Sequence, residues 1–188
     1  MAEQPLETLV RTALWRQFGA AIDMLENALL ACPAELWREH LWSVPPSSEF
    51  PQQFSEFWYI TFHVLVFCDL YLSGVPEEEF TPPAPFHQGE IDAVESLPEQ
   101  PYTREELHAY LIATRQKCQS RLLQLSDEQA RLPVSYPWTG GKTISFLEVQ
   151  LHNLRQVQEH TAQLSLFLGQ HGIPGEALDW IPRVNEEP

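Results

Sequence analysis

The stretch from Thr143 to Gly172 constrains the fold more than any other part of the chain. Ser145 and Glu148, three residues apart, have the form of a capping box, in which each side chain bonds the other's backbone N–H at the start of a helix. Gly172 followed by Pro174 is typical of a helix end. Between these signals the sequence has no proline and, until its last turn, no glycine. We therefore predict one long helix here.

The apolar residues of this helix recur at helical spacing and share one broad face: Phe146, Val149, Leu154, Val157, Leu164, Phe167 and Leu168. Asn153 and His160 project near the middle of that face, and Gln156 lies at its edge. Burying such a polar group without a partner costs about 1–3 kcal/mol. We therefore expect the rest of the chain to supply partners for these side chains.

Three further amphipathic stretches predict long helices over 5–30, over 51–72 and from Thr103 to about Leu125. Together with the last helix they predict an all-α fold, a four-helix bundle in a single domain spanning 1–188. The bundle is expected over 5–172. A Pro-rich acidic loop over 75–102 joins the second and third long helices, with Phe80 and Phe86 as its expected anchors. In the tail over 173–188, Trp180 and Ile181 are expected to pack back on the bundle.

Charge and composition exclude several classes of function. The formal net charge of −15 repels phosphate backbones and anionic membrane surfaces, so we expect neither nucleic acid nor a membrane as a partner. The N-terminus lacks the pattern of a signal peptide, and the most apolar run, 57–72, is short for a membrane span and contains His63 and Asp69. Three cysteines, an odd number without metal-ligand spacing, fit a reducing compartment best. These features predict a cytoplasmic protein.

His63 lies in the middle of the second predicted helix, between Phe62 and Val64. A bundle brings polar side chains of facing helices together in its core, where they can build a ligand or metal site. His63 and His160 are the two histidines placed for this. A lone core histidine is more often structural, bonding a carbonyl group or a water molecule, so the helix pattern by itself leaves both roles open. Asp69 can compensate a neighbouring charge or orient a histidine, although it does not share a helical face with His63.

Four segments of the chain resemble the DinB/YfiT-like superfamily over roughly residues 6–172. They are WYITFHVLVFCDLYLSG, FTPPAPF, PYTREELHAYL and, as the most specific one, HNLRQVQEHTAQLSLFLGQ. The resemblance implies a four-helix bundle that is typically a homodimer. It also implies a divalent metal, nickel or zinc, held by one histidine of the second helix and two histidines of the last helix. Some members of this family are thiol-dependent transferases or isomerases.

Carried over residue by residue, this resemblance places the metal ligands at His63, Gln156 and His160. Gln156 departs from the family pattern, because an amide oxygen is a much weaker donor than imidazole for zinc or nickel. His152 lies one turn further back but projects away from the apolar face, so it restores the triad only if the helix rotates or bulges. Asn153 is a second additional candidate for the site.

Three interpretations follow from these residues. In the one we favour, the protein retains a polar core pocket at the family's metal position, which binds a small molecule or serves in an interaction. In the alternative, it is a divalent-metal-dependent enzyme related to the thiol-dependent S-transferases and isomerases, its metal affinity weakened by Gln156. In the third, His63 and His160 are structural core residues. The sequence does not decide whether the protein is an enzyme.

Overall fold

The computed structural model describes residues 6–48, 50–87, 97–98 and 100–174. The chain is mostly helical, which confirms the all-α prediction. Four long helices and one short helix are α1 (Leu6–Ala31), α2 (Phe57–Ser73), α3 (Arg104–Leu123), the short α4 (Asp127–Ala130) and α5 (Phe146–Gln170). Within the described residues, no helix is both long enough and apolar enough to cross a membrane.

Each long helix packs against two others. Helix α1 contacts α3 and α5, and α2 contacts the same two helices, so that α1 lies diagonally opposite α2 and α3 lies diagonally opposite α5. One continuous apolar core fills the space between them. Its fully buried residues come from all four helices and include Phe18, Phe62, Leu111 and Val157. This arrangement places Asn153 and His160, the polar side chains within the apolar face of α5, against α2.

The predicted helix starts are largely confirmed. Thr103 and Glu106 form a complete capping box at α3, with the Thr103 backbone N–H donating to Glu106 Oε2 over 2.8 Å. At α5, Ser145 Oγ accepts the Glu148 backbone N–H at 3.2 Å, and the box lacks its reciprocal bond. Both interactions satisfy N–H groups that have no acceptor within the helix itself.

The second long helix begins later than predicted. Residues 52–55 form a 3₁₀ turn and Glu56 is extended, so that α2 starts at Phe57 instead of Pro51. The reason is a non-local pairing with the segment after α1. The backbone N–H groups of Phe57 and Trp58 donate to the carbonyl groups of Glu39 and Trp37. These bonds hold the backbone before α2 extended.

A short hairpin leads into α5. Strand β1 (Pro133–Val134) pairs antiparallel with β2 (Ile144–Ser145). Gly140 and Gly141 between the strands both have positive φ angles, of 62° and 78°, which L residues adopt only with strain. The two glycines therefore let the chain turn back between the strands.

A buried ion pair joins α2 and α3. The Asp69 carboxylate is 7% exposed, contacts the Lys117 ammonium group closely and accepts the Tyr110 hydroxyl at 2.9 Å. Burial and the neighbouring Asp69 raise the pKa of Tyr110, so this hydroxyl stays a donor. Asp69 thus compensates the charge of Lys117. No hydrogen bond within the described residues joins it to a histidine.

The segment after α2 begins at Gly74, whose φ of 72° lies in the left-handed region. A Cβ atom built there would approach a Phe146 ring carbon to 3.1 Å. Phe80 and Phe86, the expected anchors of the segment, are both buried. Residues 88–96 and 99 lie outside the described residues, as do Trp180 and Ile181 of the tail.

Candidate functional site

His63 of α2 and His160 of α5 lie against each other. Their ring centroids are 5.1 Å apart and the rings meet edge to face, at an interplanar angle of 85°. Both side chains are partly buried. The packing of α5 on α2 therefore brings together the two histidines that the sequence singled out.

One ring nitrogen of His160 has a hydrogen-bond partner on its own helix. Its Nδ1 lies 2.8 Å from Gln163 Oε1, one turn further along α5. The other ring nitrogen, Nε2, has no hydrogen-bond partner among the described residues. His160 Nε2 can therefore bond a ligand.

His63 forms no hydrogen bond with the residues that the structure describes. Burial of its ring, and to a smaller extent the nearby His160, lowers the pKa of His63 from 6.5 to about 3. The cause is that a charged imidazolium loses its hydration on burial. His63 is therefore a neutral imidazole at physiological pH.

Gln156 lies one helical turn before His160. Its Oε1 is buried and has no hydrogen-bond partner among the described residues. A buried amide oxygen without a partner loses the free energy of its hydration. An ion, a water molecule or a ligand donor at this position would offset that loss.

The two additional candidates lie elsewhere on α5. Asn153 is fully buried, and its Nδ2 donates to the Cys68 carbonyl oxygen over 3.2 Å, which ties α5 to α2. The His152 ring stacks on Trp138 at a centroid distance of 4.2 Å and meets the edge of Tyr71 at 5.6 Å. No ring contact in the described structure joins His152 to the other two histidines. His152 therefore packs on Trp138 of the hairpin connection and on Tyr71 of α2.

A cavity of about 460 Å³ opens beside the histidine pair. Its described lining comes from the loop between α1 and α2, from α2 and from α5: Trp42, Val44, Pro45, Ser48, Phe50, Phe54, Tyr59, Ile60, His63, Phe67 and His160. Most of these side chains are aromatic or aliphatic, and the two imidazoles are the main polar groups. An apolar pocket with a few convergent polar groups is typical of small-molecule sites.

The contribution of the loop was missed by the sequence reasoning. Six of the lining residues come from 40–56, and none of them was a candidate. The signal available was compositional, because this stretch combines three prolines with three aromatic residues in a polar connector.

Two other clefts contain neither histidine of the pair. One, of about 450 Å³, lies between the end of α2 and the hairpin and is lined largely by prolines, glycines and Tyr136. The other, of about 390 Å³, is a shallow depression between α1 and α5 lined by exposed polar residues such as Gln158 and Glu159. The imidazole pair distinguishes the first cavity.

The donor set beside the cavity is a weak one for a transition metal. Among the described residues, no three His, Cys, Asp or Glu side chains form a group that can hold an ion. Two imidazoles are good ligands for zinc or nickel, whereas the Gln156 amide oxygen is a hard and weak third ligand. Both histidines line the cavity and can serve as ligands, whereas Gln156 is not among its described lining residues.

Comparison with models of protein families identifies the superfamily to which the chain belongs. The family model of the DinB superfamily matches residues 17–164, most of the chain. The chain belongs to the DinB superfamily, as its sequence motifs predicted. No curated protein matches it, and no solved structure does.

Proposed function

We propose that this DinB superfamily protein binds a small organic molecule in the cavity beside His63 and His160. The observation that carries the proposal is the position of the imidazole pair at an aromatic cavity of about 460 Å³. The cavity volume lies in the range of about 300–1,000 Å³ that small-molecule sites occupy. The cavity supplies apolar area for affinity, and the imidazoles supply hydrogen bonds that orient the ligand.

The ring nitrogens without partners support binding over a purely structural role. Two structural core histidines would satisfy their nitrogens internally, since buried polar groups are normally hydrogen-bonded. His63 has no such partner among the described residues, and of the two His160 nitrogens only Nδ1 has one there. Both groups lie beside the cavity and can bond a ligand there.

A divalent-metal-dependent enzyme is the second candidate function, and the unbonded Gln156 Oε1 favours it. His63, His160 and Gln156 would hold the ion. A bound zinc or nickel ion would act as a Lewis acid that lowers the pKa of a thiol or water ligand. The chain's own part is to present two imidazoles and to exclude water with the aromatic wall, in keeping with a relationship to the thiol-dependent S-transferases and isomerases.

The proposal also covers the architecture, the location and the oligomeric state of the protein. The four long helices form the four-helix bundle of a single domain spanning 1–188, and the connector over 75–102 is its Pro-rich loop. The protein acts in the cytoplasm as a homodimer, without a nucleic-acid or membrane partner. The mutual contacts of the long helices support the bundle, and the net charge of −15 supports the lack of nucleic-acid and membrane partners. The homodimer rests on the family resemblance, and the cytoplasmic location rests on the three cysteines. Light scattering coupled to size-exclusion chromatography measures the oligomeric state.

A thermal-shift screen of a small-molecule library tests the pocket. Hits that raise the melting temperature of the wild-type protein should lose that effect in the His63→Ala and His160→Ala variants. The matched control is His152→Ala, which removes a partly buried histidine of α5 outside the cavity. Hits that respond to the control and not to the pair would place the binding site elsewhere.

The Gln156→His variant tests the metal alternative. An imidazole in place of the amide completes a three-histidine set, so zinc affinity measured by calorimetry should rise at least about tenfold, a change of about 1.4 kcal/mol. An unchanged affinity would show that the three side chains do not converge on one ion, while leaving the small-molecule proposal intact.

A further inference from the structure

The described residues of the loop between α1 and α2 (40–48 and 50–56, here the aromatic loop) supply more of the described cavity wall than any helix does. Trp42, Phe50 and Phe54 are its aromatic lining residues. Trp42 is 43% exposed and Phe50 is 61% exposed, although both are large apolar side chains. Apolar surface left at the mouth of a pocket is area that a ligand can cover.

The neck of the aromatic loop is closed by hydrogen bonds. The backbone of His40 pairs with that of Glu56 in an antiparallel bridge, and the Leu41 N–H donates to the Ser55 carbonyl oxygen over 2.7 Å. The His40 side chain bonds Ser55 Oγ at 2.8 Å. The ends of the loop are thus fixed on the start of α2.

The loop also has an internal bond and stacks on α2. Gln52 Nε2 donates to the Val44 carbonyl oxygen over 2.9 Å. The Phe54 ring stacks on Tyr59 at 4.3 Å with an interplanar angle of 11°. The cavity wall is therefore formed before a ligand binds, which lowers the entropy cost of binding.

The described lining of the cavity carries no Asp, Glu, Lys or Arg side chain. An anionic ligand group would lose its hydration there without a cation among the described lining residues. It would also meet the field of a chain with a net charge of −15. The main polar contacts on offer are the rings of His63 and His160.

We propose that the aromatic loop selects molecules with an aromatic body and no anionic group, the body resting on Trp42 and Phe50 and a polar group reaching the imidazoles of His63 and His160. This ligand class rests on the proposed small-molecule function of the same cavity. It is recognised by contacts with the exposed rings of the loop and by hydrogen bonds to the histidine pair.

A matched pair of fluorescent probes tests the selection. N-phenyl-1-naphthylamine is uncharged and carries one N–H donor, and 1-anilinonaphthalene-8-sulfonate has the same aromatic body with an added sulfonate. In fluorescence titrations of the whole chain, the uncharged amine should bind at least about tenfold more tightly than the sulfonate. Equal or tighter binding of the sulfonate would overturn the selection against anions.

Two tryptophan variants distinguish a specific effect of the aromatic loop on binding from a general effect of exposed apolar surface. Trp42→Ala should raise the dissociation constant of the uncharged amine about tenfold. Trp138→Ala is the control, because Trp138 is similarly exposed, at 46%, and does not line the cavity. It should change the constant less than about twofold. Phe50→Ala, at a more exposed position, provides a second loop variant that leaves the core untouched.

The His160→Ala variant distinguishes failure of this inference from failure of the proposed function. If amine binding weakens in His160→Ala and not in either loop variant, the cavity binds ligand and the loop does not select it. If amine binding responds neither to His160→Ala nor to the loop variants, the cavity is not the binding site and both proposals are wrong. Loss of binding in His160→Ala and in both loop variants supports both.

Discussion

The low pKa of His63 makes a specific prediction about stability. In the folded protein this histidine stays neutral down to about pH 3, whereas in the unfolded chain it takes up a proton near pH 6.5. The unfolded state therefore binds more protons than the folded state between these two values. As the pH falls below about 7, this group lowers the free energy of unfolding.

The size of the effect follows from proton linkage. Between pH 7.5 and pH 5.5 the occupancy of the unfolded imidazole rises from about 0.1 to about 0.9 proton, while the folded one stays near zero. Each pH unit is worth about 1.36 kcal/mol per proton. His63 thus accounts for a loss of about 1.4 kcal/mol of stability over these two pH units.

Urea denaturation followed by circular dichroism measures this loss. The wild-type protein should lose about 1.4 kcal/mol more between pH 7.5 and pH 5.5 than a His63→Leu variant does, because leucine fills a similar volume and does not titrate. Val157→Ala, a core truncation one turn before His160, controls for lower stability as such and should keep the wild-type pH dependence. A His63→Leu protein with an unchanged pH dependence would refute the assignment of a buried neutral imidazole.

Two further predictions concern the fold. Lys117→Ala leaves the Asp69 carboxylate buried without its cation and should lower the free energy of unfolding by about 2 kcal/mol, whereas the exposed Arg131→Ala should change it by less than about 0.5 kcal/mol in the same urea titration. Gly74→Ala should cost about 2 kcal/mol, since a left-handed φ and a crowded aromatic ring both oppose a Cβ atom there; Gly140→Ala, with a similar φ in open space, should cost about 1 kcal/mol in thermal unfolding. Equal losses within either pair of variants would contradict the corresponding explanation.

Local signals predicted the helices well, because their determinants lie within a few residues of one another. The capping box of Thr103 and Glu106 starts α3 where the sequence placed it. The start of α2 was predicted too early because residues 37–41 hold the backbone around Glu56 extended. That competition depends on segments that meet only in the folded chain, so no helical pattern reveals it.

The candidate site was likewise predictable only in part. His63 and His160 lie on helical faces that the sequence identifies, and the structure places them together. The aromatic loop has no helical or strand period, and the bonds at its neck join residues far apart in sequence, so its contribution to the cavity could not be read from a pattern. The environment of Gln156 is also tertiary, since an unbonded oxygen is defined only by its surroundings.

The central claim is that a ligand binds beside His63 and His160. Long-range ¹H–¹⁵N correlation spectra of the histidine side chains test it most directly, during titration with N-phenyl-1-naphthylamine. We predict that the ring nitrogens of His63 and His160 change chemical shift in proportion to ligand occupancy, while the chemical shifts of His152 stay unchanged. Shifts at His152 without shifts at the pair, or saturable binding that moves no histidine signal, would contradict the account.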